Sequence, residues 1–164
     1  MWSLVVVCVL AAASGFYMMP AERAHVTARN HEAREQAVAM AVYRAAVVAY
    51  FSANDLKNTS VTLATLTSTG ALPDWSPLRN AGASLIWRNY RDGAGVIYIY
   101  PATLPAANIV SEVLALSQNA LTVGIYRAAD RSLYSPADGK RVVLATLGAV
   151  SIPDTALVWL AARQ

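Results

Sequence analysis

The segment AVAMAVYRAAVVAYF at positions 37–51 decides the fold, because it contains a single charged residue, Arg44, and no Gly or Pro. Its apolar residues recur at helical spacing and therefore predict a helix. They form two stripes: Val38, Val42, Ala45 and Ala49 in one, and Met40, Tyr43, Val47 and Tyr50 in the other. Two stripes on so short a segment indicate a helix that is buried around much of its circumference. We interpret both stripes as covered by the protein's own core. In the alternative, a sheet covers one stripe and a partner protein covers the other.

The residues before this segment extend the same helix toward the N-terminus. Positions 21–36 are polar, and no Gly or Pro interrupts positions 21–51, which favours a long helix. We therefore predict an amphipathic stalk helix at 21–52. His31 and Glu35 lie four residues apart on one face and could bind a metal ion, but no second histidine stands at ligand spacing. A solvated His–Glu pair is the better interpretation, and we predict no metal site.

The first hydrophobic segment, WSLVVVCVLAAASGFYMM at positions 2–19, carries no charge. A helix of this length spans about 27 Å, close to the thickness of the hydrocarbon core of a bilayer. We predict a transmembrane anchor at 1–20. A cleaved signal peptide is the main alternative, but no Lys or Arg precedes the apolar run. Gly15-Phe16 resembles a prepilin cleavage site, yet the apolar stretch precedes this pair and Pro20 stands where a prepilin has glutamate.

The rest of the chain, 53–164, is predicted to form a small α+β domain packed with the stalk helix. Positions 58–70, rich in Ser and Thr, are interpreted as an exposed connection, and Trp75 in the turn that follows is expected to pack on the sheet. Asp92-Gly93 between two apolar runs predicts a hairpin of strands 85–90 and 96–100. The remaining predicted elements are a helix at 105–118, strands at 121–126 and 131–134, and a strand at 156–161 that closes the sheet.

The predicted fold class is therefore α+β and pilin-like. An N-terminal transmembrane helix continues into a long amphipathic helix, which packs on a small antiparallel sheet. In the second strand of the hairpin, apolar residues occupy both alternating sets of positions, 96, 98 and 100 as well as 97 and 99. Both faces of that strand are expected to be covered.

Composition and motifs exclude several classes of function. Hydrophobic residues make up 56 % of the chain and charged residues only 14 %, against about 25 % charged in an average soluble domain. The basic residues are scattered, so no nucleic-acid groove is expected. The chain has two histidines, both on the polar stalk, and no nucleophile motif, phosphate loop or Cys/His cluster. We predict no enzyme activity, no catalytic residue, no cofactor and no small-molecule substrate.

Arg44 is the one charge in the apolar segment and needs a hydrogen-bond acceptor if it is buried. The sequence offers five candidate carboxylates, namely Asp74, Asp92, Glu112, Asp130 and Asp154.

Several blocks of the sequence resemble the PilM proteins of plasmid-type thin type IV pili. They are MAVYRAAVVAYFSAN at 40–54, ALPDW at 71–75, VIYIYPATLP at 96–105 and LSQNALTVGI at 116–125. The N-terminal Met-Trp and the apolar run to Gly-Phe-Tyr belong to the same pattern. An actin-like cytoplasmic protein of other type IV pilus systems shares the name but not these residues.

The resemblance implies an inner-membrane component of the pilus assembly machinery or basal body, with partners among the membrane, other assembly proteins and pilin. The family has no catalytic residues to carry over. Arg23, Arg29 and Arg34 follow the anchor and by the positive-inside rule favour a cytoplasmic domain, whereas the resemblance implies a periplasmic one. From the apolar stripes we predict partner-binding residues at Val42, Tyr43, Val47 and Tyr50. The alternatives are a minor pilin within the fibre and, less in keeping with the sequence, an envelope enzyme.

Overall fold

The computed structural model describes the backbone of residues 2–118, 120–144 and 150–161, and the side chains within these ranges from residue 26 onward, except that of Ala83. Its first element is one continuous helix, α1 (Trp2–Ala53), whose 52 residues extend about 78 Å. The predicted stalk 21–52 is part of this helix. The side chains of the predicted anchor 1–20 lie outside the described residues, so the division between anchor and stalk stays a prediction.

Within the described residues, six antiparallel strands form a single sheet behind α1. They are β1 (Trp87–Arg91), β2 (Ile97–Pro101), β3 (Val123–Arg127), β4 (Ser132–Tyr134), β5 (Arg141–Val143) and β6 (Leu157–Ala161). Their order across the sheet is β1-β2-β6-β3-β4-β5. The predicted hairpin is confirmed as β1–β2, with Tyr90 opposite Tyr98. The predicted last strand is confirmed as β6, but it lies in the middle of the sheet, between β2 and β3, and does not close an edge.

Two short α-helices, α2 (Leu63–Ser68) and α3 (Val110–Leu116), and two 3-10 turns (Pro77–Asn80 and Gly82–Ser84) complete the described elements. The prediction of an exposed connection at 58–70 is wrong for its second half. Thr62 caps α2 by accepting a hydrogen bond from the Thr65 amide, and Leu66 is fully buried. The predicted helix at 105–118 is shorter than expected and begins at Val110, whose amide is bound by the side chain of Asn108.

The sheet has a core on each face, as the pattern of β2 predicts. On the helix side, α1 packs against the residues Trp87, Ile97, Ile99, Leu157 and Trp159. On the far side lies a smaller core of Tyr98, Tyr100, Tyr126, Leu133 and Val158, covered by Leu144 and Ile152. All five residues of β2 are buried. A long helix packed on an antiparallel sheet confirms the α+β class.

Trp75 does not pack on the sheet, and that prediction is wrong. Its side chain is 73 % exposed, whereas Leu72 and Leu78 on either side of the turn are buried. The two leucines hold the turn to the core, and Asp74 and Arg79 form an ion pair across it. The turn therefore presents the indole to solvent.

Candidate partner-binding face of the long helix

The two apolar stripes of α1 have different environments. Met40, Tyr43 and Val47 lie in the helix-side core with almost no exposed surface. The other stripe, which we call the outer face, consists of Val38, Val42, Ala45 and Ala49, and only Val42 of these packs against that core. Val38 is 43 % exposed, Ala45 and Ala49 are exposed, and Val42 is half-buried. The interpretation that the protein's own core covers both stripes is wrong, because three of the four outer-face residues are exposed.

The four predicted partner-binding residues are divided between these environments. Tyr43 and Val47 are buried, and the Tyr43 hydroxyl accepts a hydrogen bond from Asn89 Nδ2 at 2.6 Å. Their place in the core leaves them no surface for a partner. Val42 and Tyr50 are half-buried, and Tyr50 packs edge-on against Phe51 with ring centroids 5.4 Å apart. A partner-binding role stays a prediction for Val42 and Tyr50.

A shallow groove of about 750 Å³ lies at the N-terminal end of the outer face. Its lining residues are His31, Arg34, Glu35, Gln36, Val38, Ala39, Val42 and Pro77. Pro77 belongs to a 3-10 turn (Pro77–Asn80), so this turn forms one wall and α1 the other. The groove thus has an apolar floor and a charged rim.

His31 and Glu35 form an exposed side-chain pair on this rim, with 3.3 Å between Nδ1 and Oε1. The two side chains are 73 % and 70 % exposed, which agrees with the predicted solvated pair. Such an exposed pair contributes little to stability. Within the described part of the chain, no group of three potential metal-ligating side chains is present.

Arg44 projects from α1 toward β6. Its guanidinium lies 4.8 Å from the centre of the Trp159 ring, and Nη2 donates a long hydrogen bond of 3.4 Å to the Leu160 carbonyl. Its buried Nε has no hydrogen-bond partner. Burial lowers the pKa of the guanidinium from its ordinary value. None of the five carboxylates expected from the sequence contacts Arg44, so that prediction is wrong and the acceptor is a backbone carbonyl.

Two buried polar residues of β1 hold the end of α1 in place. Arg91 donates from Nη1 to the Leu56 carbonyl at 2.9 Å and from Nη2 to Asp55 at 2.9 Å, and its guanidinium lies against the Phe51 ring. Asn89 binds both backbone groups of Val61, donating to its carbonyl at 2.7 Å and accepting from its amide at 2.9 Å. These bonds fix the helix end on the sheet and so determine which stripe faces outward.

The sequence analysis did not identify Asn89 and Arg91, although the sequence carries a signal for them. They alternate with Trp87 along one strand, and alternate residues of a strand share a face. Polar residues on the same face as a core tryptophan indicate buried groups with specific partners.

Where the structure describes side chains, one helical segment, Val26–Ala53, is long and apolar enough to cross a membrane, judged by length and composition alone. A third of its most apolar window is buried against the domain, and its inner face carries the core residues. We therefore assign this segment to the domain core. The predicted anchor at 1–20 precedes it on the same helix.

Comparison with known proteins gave one match. The model of the PilM family matches residues 8–160, which is most of the chain. No curated protein and no solved structure shows significant similarity to this chain.

Proposed function

Because the chain belongs to the PilM family of pilus assembly components, we propose that it is a non-enzymatic, inner-membrane-anchored part of the thin type IV pilus assembly machinery or basal body. In this role it supports pilus biogenesis and conjugation. Its partners are the membrane and other assembly proteins or pilin, with no nucleic acid or small-molecule substrate.

The outer face of α1 carries this proposal. Val38, Ala45 and Ala49 expose apolar surface on the same helix that begins as the predicted anchor. Exposed apolar surface on a structured helix is typical of a site where another protein binds. A helix that joins a membrane segment to a protein-binding surface suits a component that organises other proteins in the envelope.

The domain is proposed to lie in the periplasm, with α1 crossing the inner membrane once. Protease treatment of spheroplasts tests this location, because a periplasmic domain is digested there while a cytoplasmic one is protected. Digestion only after the spheroplasts are lysed would contradict it.

The substitution Val38→Asp tests the binding role of the outer face. It places a charge on exposed apolar surface, so we expect normal accumulation of the protein and a loss of pili of about tenfold or more. Val143→Asp is the matched control, since Val143 is 66 % exposed on the edge strand β5. Pili are counted by electron microscopy in cells that express each full-length variant.

The control variant should assemble pili normally. Equal pilus numbers in both variants, at equal protein levels, would contradict the proposed function. An antibody against this chain should detect it in the cell envelope and not in sheared pili. Detection in sheared pili would favour the minor pilin.

A further inference from the structure

The described residues satisfy the hydrogen-bond donors of the Arg44 guanidinium only in part. Its Nε is buried without a partner, and the hydrogen bond from Nη2 to Leu160 is long. A cation that is partly removed from water is best stabilised by a carboxylate, which can accept two parallel hydrogen bonds from the guanidinium. No carboxylate of the described residues occupies this position.

We propose that the outer face binds a helix of a second membrane-anchored protein, and that a carboxylate on that helix pairs with Arg44. This inference rests on the proposed function and names the chemistry of the partner. It combines an apolar contact along the outer face with one charge-assisted contact beside it.

Arg44 and the outer face are close enough on α1 for one helix to contact both. At about 100° per residue, Ala41 and Val48 lie between the direction of Arg44 and that of the outer face. Both residues pack against the helix-side core and are half-buried, so the part of each that stays exposed lies between Ala45 and the guanidinium. A helix packed here covers apolar side chains and reaches the cation with one long acidic side chain.

The continuity of α1 with its predicted anchor argues for a partner helix that leaves the same membrane. Residues 26–32 are exposed, so the domain covers none of this part of the helix. The groove begins at His31, about 18 Å along the helix from Met19. A neighbouring helix that emerges beside the anchor therefore runs along the outer face without changing direction.

Charge complementarity argues against a second copy of this chain. Two copies anchored in one membrane would run parallel and in register. Glu35 would then face Glu35, and Arg44 would lie near Arg44, which supplies no carboxylate. Like charges placed together at an interface destabilise it.

The position of the carboxylate follows from the length of the helix. Arg44 lies roughly 25 residues, or about 38 Å, beyond Met19. In a parallel partner helix, the acidic residue should stand roughly 25 residues after the end of the membrane segment.

Charge reversal at Arg44 tests the pairing in the full-length protein in pilus-forming cells. Arg44→Glu and Arg44→Gln should reduce the number of pili about tenfold or more, while Arg44→Lys retains most of them. Arg127→Glu is the matched control, because Arg127 is exposed on β3, away from the outer face. Immunoblots and protease resistance verify that each variant accumulates in folded form.

A saturated selection for restored piliation in the Arg44→Glu strain identifies the partner. The expected suppressor replaces an Asp or Glu by Lys or Arg in the extended helix of another membrane protein. If Arg44 had only a structural role, no charge-reversing substitution in another protein would restore piliation. A selection that returns no charge-reversed partner, or normal piliation by Arg44→Gln, overturns the inference.

The possible second copy is tested by cross-linking. Ala45→Cys in a Cys8→Ser background should give no disulfide-linked dimer under oxidising conditions, and a dimer would overturn the inference in favour of self-association. Loss of pili in Val38→Asp together with normal pili in all Arg44 variants contradicts only this inference. Normal pili in Val38→Asp contradict the proposed function itself.

Discussion

The inner and outer stripes of α1 are alike in sequence and opposite in environment. Both are apolar at helical spacing, but the inner one carries Met40 and Tyr43, whereas the outer one ends in Ala45 and Ala49. Large side chains gain more free energy from burial than alanine does, so the sheet packs on the inner stripe. The comparison shows that the size of the residues, in addition to their spacing, decides which face of an apolar helix the domain covers.

The largest expected effect is a difference in stability between two variants that carry the same Val-to-Asp substitution, one in each stripe. Val47→Asp places a carboxylate in the core without a partner and should cost several kcal/mol, enough to unfold a small domain. Val38→Asp, on the outer face, should change the free energy of unfolding by no more than about 0.5 kcal/mol. Thermal unfolding of the full-length variants in detergent, followed by circular dichroism, measures both. Similar losses in the two variants would show that the stripes do not differ as described.

An intermediate effect is expected where β1 holds α1 in its orientation. Asn89→Ala leaves the Val61 amide and carbonyl and the Tyr43 hydroxyl without their partner, and it should cost about 2 kcal/mol. Asn30→Ala is the control, because Asn30 is exposed on α1, and its effect should stay within about 0.5 kcal/mol. Denaturant unfolding gives both values. An Asn89→Ala variant as stable as the control would show that Asn89 does not help to hold α1 on the sheet.

The smallest expected effect concerns the ionisation of the Tyr43 hydroxyl in the inner stripe. Burial raises the pKa of Tyr43 above its ordinary value, because the charged form would lose its water. The folded state therefore keeps the proton more tightly than the unfolded chain. The resulting stability is full below about pH 10 and is lost as the pH rises through the folded-state pKa.

Urea unfolding at pH 8 and at pH 11 measures this dependence. Tyr43→Phe should lose less stability between the two pH values than the unmodified chain does, although Tyr100, whose pKa burial also raises, keeps part of the dependence. An identical loss of stability in both proteins would show that the Tyr43 hydroxyl is in contact with water in the folded state.

Much of the architecture could be predicted from local patterns. The long helix, the hairpin on Asp92-Gly93 and the strands at β3, β4 and β6 follow from periodicity and turn residues. Trp75 and the segment of α2 were predicted wrongly, because a local pattern does not show which turn faces the core. The position of β6 between β2 and β3 depends on long-range pairing, which no spacing within one strand reveals.

The candidate site was predictable only in part, for the same reason. The stripe containing Val42 was visible in the sequence, but its exposure depends on how Asn89 and Arg91 attach α1 to the sheet. The sequence predicts a carboxylate partner for Arg44, whereas the fold brings the Trp159 ring and the Leu160 carbonyl to it. Contacts between residues distant in sequence become known only with the tertiary structure.

The central position of β6 has a consequence for the order of folding. Among the described strands, the hairpin β1–β2 and the meander β3–β4–β5 are joined through β6, which follows all of them in the chain. The two parts of the sheet therefore cannot be joined until β6 has been synthesised. Until then β2 and β3 each keep an open edge, which β6 covers when it inserts between them.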